Sequence, residues 1–177
     1  MKRALLLTLA VVCVSGLAYG QDAGTIDIFS DAGLTSCNVT AAAQFNVYIG
    51  HTNSSGATAS AFRIDHPATL IFLGEIQAQG LKIGSSEDGV GLSYNTCLNG
   101  TFLILTVTYF DQGTPPCALM TILGDSTHPS GQVAIVDCDE TAFRFDQGGQ
   151  ARVNPDGTCQ CNVPVEETTW GGIKALY

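Results

Sequence analysis

The chain reads as an all-β protein, an antiparallel β-sandwich of immunoglobulin-like or jelly-roll type with a short C-terminal helix. Three observations predict this. Apolar and polar residues alternate with period two in many short runs. Gly, Pro, Asn and Ser cluster between those runs at intervals of roughly eight to twelve residues, the spacing of sandwich turns. Charged residues make up only 13% of the chain, against 20 glycines, a composition that suits a β-rich body rather than a disordered one.

Taken in order, 25–29 predicts a first strand. In 45–49, Phe45, Val47 and Ile49 share one face. Candidates at 61–64 and 69–73 are separated by Pro67, which cannot donate to a ladder. Residues 90–94 follow a turn-like Ser85-Ser86-Glu87-Asp88-Gly89. The strongest run is 101–110, where Phe102, Leu103, Ile104, Leu105 and Val107 make both faces apolar, as in a strand covered on both sides. Asn99-Gly100, just before it, is a type I′ hairpin signal. Runs at 117–123, 133–136, 142–145 and 151–153 complete nine or ten short strands. Their separators are turn chemistry: Gly113-Thr114-Pro115-Pro116, Ser130-Gly131, Gly148-Gly149 and Asn154-Pro155-Asp156-Gly157. Near the end, Trp170, Ile173, Lys174 and Tyr177 fall at helical spacing behind a Thr168 or Thr169 cap.

The organisation expected is a signal peptide at 1–20, one disulfide-stapled sandwich at 21–162 and a tail at 163–177. Lys2 and Arg3 precede an apolar stretch, and Ala18-Tyr19-Gly20 offers small residues before a cut. The stretch is shorter than the roughly 20 residues of a membrane helix, so no membrane span is expected. A retained anchor is the competing reading. A lipid anchor at Cys13 lacks the small preceding residue, because Val12 stands there. The expected location is secreted, periplasmic or at the cell surface.

The formal net charge is −9. The leader holds two of the seven basic residues, which leaves five against sixteen acids, a mature net charge of −11. Such a surface repels phosphate backbones and anionic membranes, so nucleic acid is excluded as a partner class.

Six cysteines lie beyond the leader: Cys37, Cys97, Cys117, Cys138, Cys159 and Cys161. An even number on an exported chain implies disulfides. Fifteen pairings are open. The one favoured here joins Cys37 to Cys97, leaving two bridges among Cys117, Cys138, Cys159 and Cys161. A zinc site built on Cys159-Gln160-Cys161 is the alternative.

No catalytic or cofactor motif stands out, and no cofactor is expected. His51, His66 and His128 stand far apart, and no Gly-x-Ser-x-Gly elbow occurs. Asp137, Asp139, Glu140, Asp146 and Asp156 are candidate calcium ligands without EF-hand spacing. Glu75, Glu87, Asp88 and Asp111 are the carboxylates from which a hydrolytic pair would be drawn. Tyr48, Tyr94 and Tyr109 form a sugar platform only if exposed together. Asn38, Asn53 and Asn99 sit in glycosylation triplets.

The run Phe45-Asn46-Val47-Tyr48-Ile49, followed by 56–62, resembles the opening of cohesin-type and related carbohydrate-module sandwiches. The run 101–110 is similar to their core strand, entered through Asn99-Gly100. The ending 165–177, with Thr168-Thr169-Trp170-Gly171 and Ile173-Lys174, resembles a C-terminal tail of secreted proteins from environmental bacteria. That resemblance implies a sorting or docking tag, while a helix packed on its own domain is the other reading. Together these features predict a non-catalytic extracellular or surface module. It would bind a protein or carbohydrate ligand through loops or one sheet face. A self-associating subunit of a surface layer or filament is the runner-up, and a small secreted hydrolase comes third.

Overall fold

A computed structural model describes residues 23–161. Ten strands follow in order: β1 (Thr25–Phe29), β2 (Asn38–Val39), β3 (Gln44–Asp65), β4 (Leu70–Gln77), β5 (Leu81–Ser85), β6 (Gly89–Asp111), β7 (Ala118–Leu123), β8 (Val133–Asp137), β9 (Ala142–Phe145) and β10 (Gln147–Val153). The expected leader and C-terminal helix lie outside the described residues.

The frame is the long antiparallel pair β3–β6. On this frame, β1 and β8 pair with β3, β4 and β5 pair with β6, and β9 pairs with β8. The last residues of β3, Arg63–Asp65, leave these partners and pair with β7, whose other neighbour is β10. The two-residue β2 runs parallel to β10. One strand therefore feeds both layers, and a single core fills the space between them. Ile26, Ile28, Val47, Ile49, Phe62, Leu105 and Val107 of one layer meet Met120, Ile122, Ala151 and Val153 of the other. Each large side chain so buried contributes about 1.5–3 kcal/mol relative to exposure.

Two expectations change here. The runs at 45–49 and 61–64 belong to one strand, and so do those at 90–94 and 101–110. Asn99-Gly100 is not a hairpin turn, because Gly100 lies inside β6 opposite Ser54 of β3. The β3–β6 register shifts repeatedly between Ile49 and Ala59, and Asn53 (φ 54°), Asn95 (φ 61°) and Gly100 (φ 79°) take left-handed backbone there. Both strands bulge together, which bends the ribbon without ending it. The bend has a simple cause. β4 ends at Gln77 opposite Leu105, β5 begins at Leu81 opposite Ser93, and only 78–80 join them. The β6 residues between Ser93 and Leu105 must therefore arch away from the direct path. Gly80 makes the short link feasible: its φ is 74°, and a Cβ there would sit 1.7 Å from the Ser93 carbonyl oxygen.

Three disulfides staple the body: Cys37–Cys161, Cys97–Cys138 and Cys117–Cys159. The favoured Cys37–Cys97 pairing is corrected. Cys37 precedes β2, in the β10 layer, whereas Cys97 sits on the β3–β6 arch and reaches the residue after β8. Cys159 and Cys161 bind different partners rather than each other.

Candidate interaction face

The register decides which side chains of β4, β5 and β6 point outward. Val107 and Tyr109 of β6 are buried, so their neighbours Thr106, Thr108 and Phe110 face away from the core. Cross-strand partners share a face. Ile71, opposite Phe110, and Ile76, opposite Thr106, therefore point outward. On β5, Leu81 and Ile83 lie opposite Ser93 and Gly91, while Lys82 lies opposite buried Leu92. Leu73 is turned out by the irregularity between Phe72 and Gly74.

Outward positions of an antiparallel sheet with one wet side are normally polar. Here they are Ile71 (40% exposed), Leu73 (52%), Ile76 (74%), Leu81 (59%), Ile83 (72%) and Phe110 (40%). Among the described residues these are six of the eight exposed large apolar side chains, so the exposure is concentrated on three adjoining strands.

Polar contacts beneath the face hold β5 against β4. The Glu75 side chain is only 3% exposed and accepts a hydrogen bond from Lys82 Nζ at 2.7 Å. Its other oxygen accepts from the Ser86 N–H at 3.1 Å, and Lys82 Nζ also donates to the Gly84 carbonyl. Burial pushes the Tyr109 hydroxyl far above its ordinary pKa, and the negative charges of Glu87 and Glu75 add to the shift.

The other candidates from the sequence do not converge. His51 is buried, with Nε2 2.7 Å from the Ala23 carbonyl and Nδ1 3.4 Å from the Tyr94 hydroxyl, which donates to Ser60 Oγ. Burial lowers the His51 pKa, partly offset by the Ala23 carbonyl. His66 lies 3.4 Å from Glu87. His128 meets Ser130. Tyr94 and Tyr109 are buried and Tyr48 is half-buried, so the three tyrosines form no exposed platform.

Asp137 is buried and accepts the N–H groups of Asp139 and Thr141, which is the wiring of a tight turn. Asp156 is held below its ordinary pKa by the Thr158 hydroxyl and then by the Thr158 N–H. Among the described residues its metal-like grouping is with Cys117 and Cys159, whose sulfurs are joined to each other. Of the carboxylates considered for hydrolysis, Glu75 is engaged by Lys82. Asp111 is held below its ordinary pKa, chiefly by the Thr114 hydroxyl. The Asn38 amide is committed to the Cys161 backbone in both directions. Among the described residues no helix is long and apolar enough to cross a membrane.

No protein-family model matches the chain, and no curated protein sequence does. Solved structures do match in fold. A cohesin module from a Clostridium perfringens family 33 glycoside hydrolase superposes with a TM-score of 0.53 at 6% identity, covering 75% of this chain and 99% of that one. A non-cellulosomal cohesin from the archaeon Archaeoglobus fulgidus gives 0.51 at 14% identity, covering 73% and 91%. The chain is a cohesin-like β-sandwich. At these identities the likeness is one of fold, and it agrees with the resemblance carried by 45–62 and 101–110.

The apolar face itself was not legible in the sequence. Ile71-Phe72-Leu73 is apolar on both sides of its strand, and nothing in the pattern says which side stays uncovered. The signal within reach was Leu81 and Ile83, two residues apart between turn glycines.

Proposed function

We propose that the protein is a non-catalytic extracellular binding module that docks a protein partner on the β4–β5–β6 face. The observation that carries this reading is the concentration of exposed Ile76, Ile83, Leu81 and Leu73 on adjoining strands. Contiguous apolar surface of this kind on a soluble body marks an interaction site. The cohesin-like fold supports the reading by analogy of architecture alone. A net charge of −9 selects a partner with basic groups around an apolar centre and opposes the pairing of two copies. Glu87 and Asp88, in the turn after β5, place acidic groups at one end of the face.

The test compares the mature chain with an Ile76→Asp, Ile83→Asp double variant. Proteins retained from the native extracellular or surface fraction are identified, purified and titrated back by calorimetry. The expected result is one partner that binds the wild type and loses about a hundredfold or more in affinity with the variant, at unchanged melting temperature. Equal affinity for both forms would refute the assignment. Light scattering on the same samples reports self-association. An assembly abolished by the double variant would replace the external partner with a second copy.

A further inference from the structure

The step Asn99-Gly100 has the composition of a turn but sits inside β6, on the arch that β3 and β6 form together. Gly100 pairs with Ser54 and Leu98 pairs with Ala57, so Asn99 falls at the irregularity between them and has no ladder partner of its own. Both Asn99 and Gly100 are exposed. Gly100 takes left-handed backbone at φ 79°, and a Cβ there would meet nothing within 4 Å. With no side chain on Gly100, the backbone nitrogen that follows Asn99 is unhindered.

The other described asparagines are held or badly flanked. Asn38 exchanges two hydrogen bonds with the Cys161 backbone. Asn46 Oδ1 accepts from Thr108, and Asn154 is tied to the Ala41 N–H and the Thr114 carbonyl. Pro155, after Asn154, has no N–H at all. Asn53 and Asn95 are exposed, but Ser54 is buried and Thr96 is branched at Cβ, which crowds its own nitrogen. Asn99 is the only asparagine of the chain followed by glycine, and among the described residues its side-chain amide makes no hydrogen bond.

We propose that Asn99 is a self-modification site, where the chain turns its own amide into a carboxylate with water as co-reactant. The Gly100 nitrogen gives its proton to solvent and attacks Asn99 Cγ. The N–Cγ bond forms, the Cγ–Nδ2 bond breaks, and Nδ2 leaves as ammonia after taking one proton from solvent. A five-membered succinimide then joins residues 99 and 100. Water opens it at either carbonyl. Breaking the new N–Cγ bond gives aspartate. Breaking the original peptide bond gives isoaspartate, whose main chain runs through Cγ and is one carbon longer. Nothing is oxidised or reduced. Ring closure bends the chain, which a continuous ladder resists and a bulge permits.

The local consequence follows from Gly56. A Cβ there would lie 3.0 Å from Asn99 Oδ1, 2.9 Å from Cys138 Sγ and 3.4 Å from Cys97 Sγ. The new carboxylate therefore stands beside the Cys97–Cys138 bridge and adds a negative charge to a chain that already carries −9. The site uses no residue of the apolar face, so it holds whether or not a partner docks there.

The test incubates the full mature chain at pH 7.4 and 37 °C, folded and, as a positive control, unfolded in urea. Peptides from an acidic digest are then weighed. The peptide holding Asn99 should gain one mass unit over days in the folded protein, ahead of those holding Asn53 and Asn95. An isoaspartyl methyltransferase should label part of it, and a more acidic form of the intact protein should accumulate in step on ion exchange. Asn99→Gln, which would have to close a six-membered ring, should keep its mass and charge. An Asn99 peptide unchanged in the folded protein, or earlier conversion at Asn53 or Asn95, overturns the proposal. Should Asn99→Gln fail to fold, the order of the three wild-type peptides decides by itself.

Discussion

Replacing Lys82 with Met isolates a charge that the fold has buried. The Glu75 side chain is 3% exposed, and among the described residues its cationic partner is Lys82 Nζ at 2.7 Å. Removing one member of a buried pair costs about 3–5 kcal/mol, because the remaining charge is stranded. Two features reduce this figure. Lys82 is 28% exposed, so water already screens part of the attraction, and the Ser86 N–H continues to support the carboxylate. A loss of about 2–3 kcal/mol at pH 7 is expected, or roughly 5–10 °C in Tm for a domain of this size.

Adding Glu75→Leu should recover much of the loss, since two apolar side chains leave no charge behind. Thermal unfolding of the four proteins of this cycle at pH 7 measures both terms. A single variant as stable as wild type at pH 7, or a double variant no better than the single one, would refute the reasoning.

Other perturbations follow from the same geometry. Changing Cys97 and Cys138 to Ala opens a loop of separation 41 and should cost about 4 kcal/mol in the chain-entropy model. Opening Cys37–Cys161, at separation 124, should cost about 5, and guanidinium unfolding of both variants checks the order. His51 is buried with a lowered pKa, so the unfolded chain takes up a proton that the folded chain resists. The stability His51 contributes is complete above its unfolded pKa of 6.5 and declines as pH falls below it. His51→Gln should flatten the melting-temperature profile between pH 6.5 and pH 5, and an unchanged slope would show that another group sets it.

The sequence carried the strand content well where a strand stands alone. Thr25–Phe29 and Ala142–Phe145 have the bounds their alternation predicts. It failed where two strands deform together. Asn53, Asn95 and Gly100 are turn residues by type, yet β3 and β6 remain paired past them because each supplies the other's missing bonds. No strand was predicted at β5, whose five residues follow Gly80 and include Gly84. The disulfide partners depend on which layer each cysteine joins, and order along the chain does not carry that information. Exposure of Ile76 and Ile83 depends on what covers a face, which is a tertiary fact.

The Cys37–Cys161 link has a mechanical meaning. Tension entering through the residue before 37 and leaving after 161 would pass across one sulfur–sulfur bond and bypass nearly the whole sandwich. Of the described strands, only β1 lies outside that shortcut, held to β3 by five antiparallel residue pairs. A module tugged by a flow or by a moving anchor would then stretch at its N-terminal strand while the β4–β5–β6 face kept its shape.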